Sequence, residues 1–456
     1  MQGMYSRSLH AREDLMSRLA IFGGAPERSK PFPSWPAFDQ NEEEALLDVL
    51  RSGNWWRYSH GEAVEGRVPE VGQPRSKVAE FQEAFARFQG ARYGIACANG
   101  SAALEVALKA LGVGPGDEVI VPPYTFIATA TAALAVNAVP IFADIDYETF
   151  NIAPQQVEQA ITLRTKAIIP VHFAGQAADM DTLLDIAQRH KLAVVEDAAH
   201  AHGATWKGKG LGSIGHAGTF SFQASKNLTA GEGGLIITSD RERAELCESY
   251  IWGGRKIGRP WYEHSRLGWN YRMTEFQGAI LLQQLKRLEA QNAKRRQNAR
   301  YLDACLSKLP GIQPLRVREY VSGHSYHLYI FRFEEQEFGV SRSNFLAALQ
   351  AEGIACLAGY AHPLYKNPMF LRQDFYPRGC PLTCGHYDRA IDYAGFEALC
   401  PNAERACREA VWLEHRQLLA EHEDMDDIAH AIEKIHDHRE DFRRANGAGA
   451  ASATSS

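Results

Sequence analysis

The chain of 456 residues is long enough for two or three domains, and its 45% hydrophobic and 23% charged residues are typical of a soluble globular enzyme. A net charge of −6 favours neither nucleic acid nor an anionic membrane surface as a partner. No apolar run reaches the roughly 18 residues that span a bilayer, and the polar start MQGMYSRSLHAREDLMSRLA lacks the apolar stretch of a secretory signal. Eight cysteines without regular pairing predict reduced thiols and a cytoplasmic protein.

Composition divides the chain into four parts. We predict a mobile tail over residues 1–18 and a second over 444–456, where a run of small residues has no periodic apolar face. Between the tails we predict a large domain over 19–295 and a smaller α+β domain over 296–443. The turn-rich stretch 371–400 predicts a loop insertion in the smaller domain.

Short apolar runs alternate with helical segments through the large domain. The runs that predict strands are YGIACANG, EVIVPPY, VPIFADI, KAIIPVHF, LAVVEDAA, GTFSFQAS and LIITS. The helical segments include SKVAEFQEAFARFQG, SAALEVALKALGV, TFIATATAALAVN and MDTLLDIAQRHK. Such alternation is typical of βαβ units and predicts an α/β fold with a largely parallel sheet. Ligands of these sheets bind at the carboxyl ends of the strands, beside helix N-termini.

The pattern changes after a long amphipathic helix that begins at MTEFQGAILLQQLKRL. HSYHLYIFRF predicts a strand, SNFLAALQAEG a helix, and DMDDIAHAIEKIHDH a final helix. These elements predict the α+β character of the second domain.

The first chemical motif is CANGSAALEVAL, where Asn99, Gly100 and Ser101 lie between a predicted strand and a predicted helix. A helix N-terminus offers free N–H groups and partial positive charge, and a glycine lets an anion approach the backbone. The segment is therefore a candidate phosphate cup. A serine at this place is equally compatible with an ordinary helix cap.

The second motif is the acidic pair in LAVVEDAAHAHG. Glu196 and Asp197 end an apolar strand, where a carboxylate can bind a metal, a ribose or a protonated ring nitrogen. An acidic cap of the next helix is the ordinary alternative. His200 and His202 follow, and either is compatible with a hydrogen-bonded loop histidine.

The third motif is a lysine at the end of a strand, Lys226 in FSFQASKNLTAGEGG. Phe220 and Phe222 point to one face of that strand and Ser221 to the other. Burial lowers the pKa of a lysine, and a lysine without charge is a nucleophile. The glycines that follow allow close approach of the backbone.

Cys380, Cys384 and His386 are residue types that bind metals, and they lie close together in the sequence. Their spacing is loose and no second pair of ligands is near, so zinc is disfavoured. We predict no metal and interpret these residues as part of an irregular surface segment.

A phosphate cup, a carboxylate and a lysine on successive strand ends form one constellation. It is the set that holds pyridoxal phosphate (PLP): the lysine holds the aldehyde as a Schiff base, the carboxylate keeps the pyridine nitrogen protonated, and the cup takes the phosphate. Each signal is weak alone, but their order along the chain makes PLP a specific prediction.

The runs VPPYTFIATATA, VVEDAAHAHG, FSFQASKNLTAGEGG and GWNYRMTEFQGAILLQQL resemble the DegT/StrS-type sugar aminotransferases, a fold-type I family of PLP enzymes. The resemblance extends over roughly residues 20–440 in one continuous order. It implies an aspartate aminotransferase-like α/β fold with a mixed, mostly parallel sheet and a smaller C-terminal domain. It also implies a homodimer whose two active sites lie at the interface.

The resemblance assigns roles to individual residues. Lys226 corresponds to the Schiff-base lysine, Asp197 to the partner of the pyridine nitrogen, and Phe126 to an aromatic that stacks on the ring. His200 stands where many relatives have a glutamine near the cofactor's 3-hydroxyl. The remaining implied cofactor contacts are Gly100, Ser101, Ala102 and Ser221 at the phosphate, and Asn270, which would reach the phosphate of the partner subunit. The cup departs from the commoner SGT form but keeps a hydroxyl.

The resemblance also implies a reaction. Some relatives have histidine in place of the lysine and catalyse dehydration, so Lys226 implies transamination in a ping-pong sequence. Glutamine or glutamate would be the amino donor. The segments YKNPMF and PNAERACREAVWLEHRQLLAEHEDMDDI resemble the glutamine-dependent inosose aminotransferases and the aminohydroxybenzoate synthases. We therefore predict an inosose-like cyclic ketone as acceptor, with a nucleotide-activated keto-sugar as the alternative.

Four residues are candidate substrate contacts. Trp56 and Arg57 lie in RSGNWWRYSHGE, an apparent loop where relatives contact the acceptor, although packing between subunits would also explain them. Tyr329 lies on one side of the strand HSYHLYIFRF, of which only one face can meet a substrate. His415, in VWLEHR, is placed either at the substrate or at a helix cap.

Two hypotheses of other classes stay open. The chain could be a non-catalytic PLP-binding regulator, although a decayed site usually loses one of Lys226, Asp197 and Ser101. It could also be a PLP-dependent dehydratase on the same scaffold, because a fold alone does not fix chemistry.

Overall fold

A computed structural model describes residues 18–56, 75–256, 258–260, 262–383 and 385–444. Apart from Arg18 and Arg444, the two predicted tails lie outside these ranges, so their mobility stays a prediction. None of the helices in the described part of the chain is both long and apolar enough to cross a membrane.

The strands are, in chain order, β1 Tyr93–Cys97, β2 Glu118–Val121, β3 Val139–Phe142, β4 Thr165–Ile168, β5 Ala193–Asp197, β6 Thr205–Trp206, β7 Lys209–Gly210, β8 Ala217–Ser221, β9 Gly234–Thr238, β10 Ile312–Pro314, β11 Val321–Gly323, β12 Leu328–Phe333 and β13 Ala410–Glu414. The α-helices are α1 Gln40–Ser52, α2 Lys77–Gln89, α3 Gly100–Ala110, α4 Ala128–Ala135, α5 Pro154–Ala160, α6 Met180–His190, α7 Arg241–Ile251, α8 Glu275–Leu306, α9 Glu335–Phe338, α10 Arg342–Ala351, α11 Pro368–Arg372, α12 Phe396–Leu399, α13 Pro401–Glu409 and α14 Glu423–Asp437. Five short 3-10 helices lie at Ala20–Phe22, Phe173–Gly175, Leu364–Lys366, Pro377–Gly379 and Gln417–Leu419.

The main sheet has seven strands in the order β1-β9-β8-β5-β4-β2-β3. The pairings from β8 to β3 are parallel, whereas β9 runs antiparallel to both of its neighbours. The strands β2, β3, β8 and β9 are buried along their whole length, which explains their continuous apolar sequences. The predicted α/β fold with a mostly parallel sheet is therefore confirmed.

Helix caps agree with the sequence signals. The Ser76 side chain accepts a hydrogen bond from the Ala79 N–H at the start of α2, and Asp39 forms a capping box with Glu42 at the start of α1. The 32-residue helix α8 packs against both of these helices. These three helices form a layer next to β1, because α2 also packs against that strand.

The strand predicted over HSYHLYIFRF begins only at Leu328. Tyr326 has a φ of 46°, a left-handed conformation that interrupts extended backbone. His324 and His327 therefore lie in a turn before the strand, and the alternation of faces predicted through them does not hold.

Buried apolar side chains form two clusters that meet at β12. Leu328 and Ile330 belong to the cluster of the seven-stranded sheet, whereas Tyr329, Phe331 and Phe333 belong to the second cluster, around α10 and α14. The strand β13 divides in the same way, with alternate residues in each cluster. The three-stranded sheet β10-β12-β13 thus has one face in each core.

The predicted domain limits stay a prediction, but packing groups the chain differently at three places. Residue 296 falls inside α8, which continues without a break to Leu306. Leu19 and Phe32, assigned to the large domain, pack in the second cluster. Conversely, the turn-rich stretch 371–400 supplies Tyr393 and other aromatic side chains that pack against Phe142 of the large sheet.

Candidate active site

The registers of three neighbouring strands bring the predicted motifs together. Cys97 at the end of β1 and Ser221 at the end of β8 are both paired with Gly234, the first residue of β9. A Cβ on Gly234 would lie 2.2 Å from the Asn99 carbonyl oxygen, so only glycine fits between these strand ends. A cavity of about 550 Å³ opens here, lined by Asn99, Gly100, Ser101, Leu104, Thr125, Phe126, Ala128, Thr129, Val171, Asp197, Ala199, His200, Thr219, Phe220, Ser221, Gln223, Ser225, Lys226 and Glu232.

One end of the cavity is the N-terminus of α3. The Asn99 side chain caps the helix by accepting a hydrogen bond from the Ala102 N–H at 2.9 Å. Gly100 and Ser101, whose N–H groups precede the first intrahelical hydrogen bonds, line the cavity together with the Ser221 hydroxyl. This end is therefore suited to an anion. Ala102 itself is buried and its N–H serves the cap, which leaves it without a direct place at the predicted phosphate.

Gly100 is the residue that allows β8 to lie against this helix start. A Cβ on Gly100 would lie 2.8 Å from the Ser221 Cβ, closer than side-chain carbons approach. We expect Gly100→Ala to displace the cup and to raise the Kd for PLP by about tenfold or more, which corresponds to about 1.4 kcal/mol. Equilibrium dialysis of PLP with the apoprotein measures this.

The matched control is Gly114→Ala, because a Cβ on Gly114 would meet nothing within 4 Å. We expect this variant to bind PLP as the parent does. Equal affinity in Gly100→Ala and Gly114→Ala would contradict a phosphate cup at α3.

Asp197 ends β5 and lies across the cavity from the cup. It is 6% exposed. Its Oδ2 accepts a hydrogen bond from the Thr129 hydroxyl at 2.8 Å, and its Oδ1 accepts one from the Ala199 N–H at 3.2 Å. Burial raises the pKa of Asp197, while these hydrogen bonds and the Lys226 charge act in the opposite direction. A cationic group in the cavity would favour the carboxylate form.

Glu196, the neighbour of Asp197, has a structural role. Its buried carboxylate accepts hydrogen bonds from the N–H groups of Gly212, Ile214 and Gly215 and contacts His172 Nε2 at 2.8 Å. Its side-chain hydrogen bonds therefore hold the loop between β7 and β8 and the His172 side chain. Of the acidic pair, only Asp197 reaches the cavity.

Lys226 lies in the turn that follows β8, between the cup and Asp197. Within the described ranges, no hydrogen bond or ion pair of its Nζ is found. Burial lowers the pKa of Lys226 to about 8, partly opposed by the negative charge of Asp197. The neutral, nucleophilic form therefore increases as pH rises through about 8, more than two units below the usual lysine range.

His200 borders the cavity next to Lys226. Its ring lies 4.2 Å from the ring of His327 and 5.6 Å from that of Phe173. Burial, together with the Lys226 charge, holds its pKa well below the usual range, so the imidazole is neutral. Its Nδ1 is buried without a hydrogen-bond partner among the described residues. The neighbouring His202 is enclosed and bonds instead to the Ser221 carbonyl at 2.9 Å.

A second cavity of about 590 Å³ adjoins the first. The two share Phe126, His200, Ser225 and Lys226, so the lysine borders both spaces. Phe126 is 59% exposed and presents its ring between them. The other residues that line the second cavity are Ser34, Trp35, His327, Leu328, Leu357, Tyr360, Trp412, Glu414, His415 and Arg416.

The second cavity contains residues that the sequence did not single out. Trp412 lies edge-on to Tyr360, with ring centroids 4.9 Å apart, and Trp35 lies edge-on to His415 at 4.5 Å. Aromatic walls with a few polar groups are common in sites for small organic ligands. Strand β13 and residues near the start of the described chain supply this wall, which is why no local motif marks it.

The four candidate substrate residues differ in position. His415 lines the second cavity, whereas Tyr329 is buried in the second apolar cluster and donates its hydroxyl to Asp303 Oδ1 at 2.8 Å. Tyr329 thus points away from both cavities, which corrects the prediction of a substrate contact. Trp56 pairs with Thr274 beside the start of α8 and lines neither cavity. Arg57 lies outside the described residues.

Asn270, predicted to reach a second subunit, is exposed and lines neither cavity of its own chain. Its backbone pairs with Trp252 in an isolated bridge. A role for Asn270 at this chain's own cavity is therefore not supported, and the predicted contact with a partner's phosphate stays a prediction.

Within the described ranges, no group of three or more His, Cys, Asp or Glu side chains lies close enough to hold a metal ion. Of the three candidate zinc ligands, Cys384 falls outside these ranges, whereas Cys380 and His386 lie within them.

A model of the DegT/DnrJ/EryC1/StrS aminotransferase family matches residues 38–396. Among curated proteins, an L-glutamine:2-deoxy-scyllo-inosose aminotransferase of Streptomyces fradiae is 39% identical over 439 residues, which cover 94% of this chain and 100% of the relative. The protein of the same name from Streptomyces lividus is 39% identical over 435 residues, or 93% of this chain and 99% of the relative.

Solved structures give the same result. A 3-amino-5-hydroxybenzoic acid synthase superposes with a TM-score of 0.78 at 33% identity, covering 90% of this chain and 100% of that one. An aminotransferase from Psychrobacter cryohalolentis superposes with a TM-score of 0.75 at 32% identity, covering 89% and 98%.

Proposed function

Because the chain belongs to the DegT/DnrJ/EryC1/StrS aminotransferase family, we propose that it is a PLP-dependent enzyme that moves an amino group from glutamine or glutamate to an inosose-like cyclic ketone. The predicted family is confirmed, and so is the predicted activity class, an aminotransferase. The cofactor, the donor and the acceptor are the proposed part. The observation that supports them best is the Lys226 amine, unpaired and of lowered pKa, at the border of two cavities.

The residues of the first cavity fit PLP. The α3 N-terminus with Gly100 and Ser101 suits the phosphate, and Asp197, oriented by Thr129, suits a protonated ring nitrogen. When bound, PLP would supply an aldehyde that condenses with amines and a ring that accepts electrons from the substrate's α-carbon. The chain contributes the binding groups and the electrostatic environment.

Lys226 would also move protons. With a pKa of about 8, its Nζ exists in both protonation states near neutral pH, so it can remove a proton from carbon and return it. Because Lys226 borders both cavities, it can act first on the donor and then on the acceptor. A ping-pong reaction requires that the same group act on the two substrates in succession.

The second cavity supports an uncharged, hydroxylated acceptor. Its imidazoles at His200 and His327 are held neutral by burial, which keeps the pKa of each well below its usual range. A neutral imidazole can donate a hydrogen bond to a hydroxyl group or accept one from it. Trp412 and Tyr360 offer apolar ring faces. The names of the Streptomyces relatives, L-glutamine:2-deoxy-scyllo-inosose aminotransferases, are consistent with such an acceptor.

A homodimer is part of the proposal. Asn270 is exposed and away from this chain's cavities, as expected if it serves the site of a second copy. Trp55 and Trp56 are exposed on the same chain at the approach to α8. The predicted cytoplasmic location also belongs to the proposal, since no disulfide joins the cysteines of the described ranges, as expected in a reducing compartment.

A half-reaction on the PLP-loaded protein tests the function. Glutamine, glutamate, aspartate and alanine are added separately, and absorbance follows conversion of the cofactor to pyridoxamine phosphate. We expect glutamine to convert the bound cofactor in a single turnover. Addition of 2-deoxy-scyllo-inosose should then restore the original spectrum. Conversion by glutamate alone would favour a nucleotide-activated keto-sugar as acceptor. No conversion by any donor would overturn the proposal and favour a dehydratase or a binding protein.

A further inference from the structure

Arg295 is a buried cation without a carboxylate partner among the described residues. It lies in α8 and is 0% exposed. Its guanidinium donates to the Asn292 side-chain oxygen at 2.9 Å and to His415 Nδ1 at 3.1 Å, and its Nε has no hydrogen-bond partner. Burial of an uncompensated charge is strongly unfavourable. Its retention beside the site calls for a function.

The contact with Arg295 determines how His415 is protonated. A guanidinium can only donate, so His415 Nδ1 must be the acceptor and the imidazole proton must be on Nε2. His415 Nε2 therefore donates to the Ser225 carbonyl at 3.0 Å. Both ring nitrogens are thus used within the protein, and neither is available to a substrate in the second cavity.

Trp35 makes a second contact of the same kind with this turn. Its indole Nε1 donates to the Ala224 carbonyl at 3.0 Å, and its ring packs edge-on against the ring of His415 at 4.5 Å. The Arg295 guanidinium lies 5.5 Å from the centre of the same indole ring. Two adjacent ring donors therefore bind the carbonyls of Ala224 and Ser225, the two residues that directly precede Lys226.

Within the turn, the Lys226 N–H bonds to the Gln223 carbonyl, and the Ser225 N–H and hydroxyl bond to the Gln223 side-chain oxygen. The contacts from Trp35 and His415 matter because they tie the exposed residues Ala224 and Ser225 to another part of the fold. The position of Nζ between the two cavities depends on the direction in which this turn leaves β8. An imidazole in the other tautomer would present a lone pair to the Ser225 carbonyl and would release it.

We propose that Arg295 is a positioning residue: it fixes the orientation and tautomer of His415, which with Trp35 holds the Ala224–Lys226 turn and so aims the lysine amine. The inference deepens the proposed function, on which it rests for the identity of the cofactor. It assigns to His415 a role in holding the main chain in place of the predicted substrate contact. Arg295 lines neither cavity and reaches the turn through its hydrogen bond to His415.

The test compares Arg295→Gln, His415→Phe and the double variant as full-length protein. Apoprotein is mixed with PLP, and two quantities are measured: the rate of covalent attachment, trapped by borohydride, and kcat and KM with the best donor. We expect each single variant to slow attachment and lower kcat by about tenfold to a hundredfold with KM nearly unchanged, because the amine is misplaced. The double variant should be no worse than the singles, since both act through one chain of contacts.

Arg295→Lys and Arg296→Gln complete the design. The glutamine amide of Arg295→Gln is a donor too, but it is shorter than arginine and loses the reach to His415 Nδ1. The longer lysine keeps a donor nearer to that nitrogen and should recover part of the rate, which a role in packing alone would not predict. Arg296 is the neighbouring arginine of α8 but pairs with Glu289 at 2.7 Å, so Arg296→Gln should match the parent. Thermal melting of each apoprotein shows whether it is folded. If Arg295→Gln does not fold, His415→Phe and Trp35→Phe replace it, and parent-like attachment rates in both would overturn the proposal.

Two outcomes separate this inference from the proposed function. If the parent protein forms no borohydride-reducible bond to PLP at Lys226, the proposed function fails and no donor is needed to see it. If the parent forms that bond and folded Arg295→Gln forms it equally fast, the positioning role is wrong while the function stands. Additive losses in the double variant would also contradict the relay, because they would mean independent effects.

Discussion

Lys226→Ala is expected to abolish covalent attachment of PLP and to reduce transamination on the order of 10³-fold or more. The amine is the nucleophile of the site and, with a pKa of about 8, its acid and base. Removing it leaves the cup and Asp197 in place, so PLP should still bind without a covalent bond. Borohydride treatment followed by peptide mass analysis measures the attachment, and the half-reaction with glutamine measures the rate.

Two controls accompany this variant. Lys226→Arg keeps a positive charge in the cavity but supplies no nucleophile, and should be as inactive as alanine. Lys166→Ala removes an exposed lysine of β4, away from the cavities, and should behave as the parent. A reducible PLP bond at another lysine in Lys226→Ala would contradict the assignment of Lys226 as the residue that binds PLP covalently.

Asp197→Asn is expected to keep PLP bound at Lys226 while lowering turnover by about a hundredfold or more. Asparagine retains the shape and can bond to Thr129, but it carries no charge to favour a protonated ring nitrogen. The loss should therefore fall on kcat. Stopped-flow absorbance in the half-reaction measures it, because attachment and turnover are then read from the same sample.

The control for Asp197→Asn is another buried aspartate. Asp303 has a pKa raised to about 6 by burial and bonds to Tyr329, but it lies away from both cavities. Asp303→Asn keeps an acceptor for the Tyr329 hydroxyl and removes a charge that burial disfavours, so neither kcat nor the stability at neutral pH should fall. Normal turnover in Asp197→Asn would mean that the partner of the ring nitrogen lies elsewhere.

The sequence predicted the part of the site that local motifs encode. Gly100 begins a helix, Asp197 ends a strand and Lys226 lies in the turn after one, each within a short recognisable run, and the sheet brings these places together. Thr129 was missed because its contact with Asp197 joins residues 68 positions apart, and nothing in its own run distinguishes it from other helical threonines. Trp35 was missed for the same reason, since its partners are Ala224 and His415, the residue that follows β13.

The error at Tyr329 has a different cause. Alternation along a strand predicts which residues share a face, but it does not predict which face meets the ligand. The left-handed residue Tyr326 also changes the direction of the chain just before β12, so the faces cannot be counted from His324. Only the packing of β12 between two cores identifies the inward side.

The sheet β10-β12-β13 has a mechanical consequence. Ile330 and Trp412 pack in the apolar cluster of the main sheet, whereas Phe331 and Leu413 pack in the second cluster. The two lobes, each built around one cluster, therefore share this sheet as a common wall and are not joined by a flexible linker. A rigid-body swing of one lobe would have to expose apolar surface on both sides of that wall at once. We therefore expect substrate exchange to proceed without such a swing, by smaller movements at the rim of the cavities, where Phe126 is exposed.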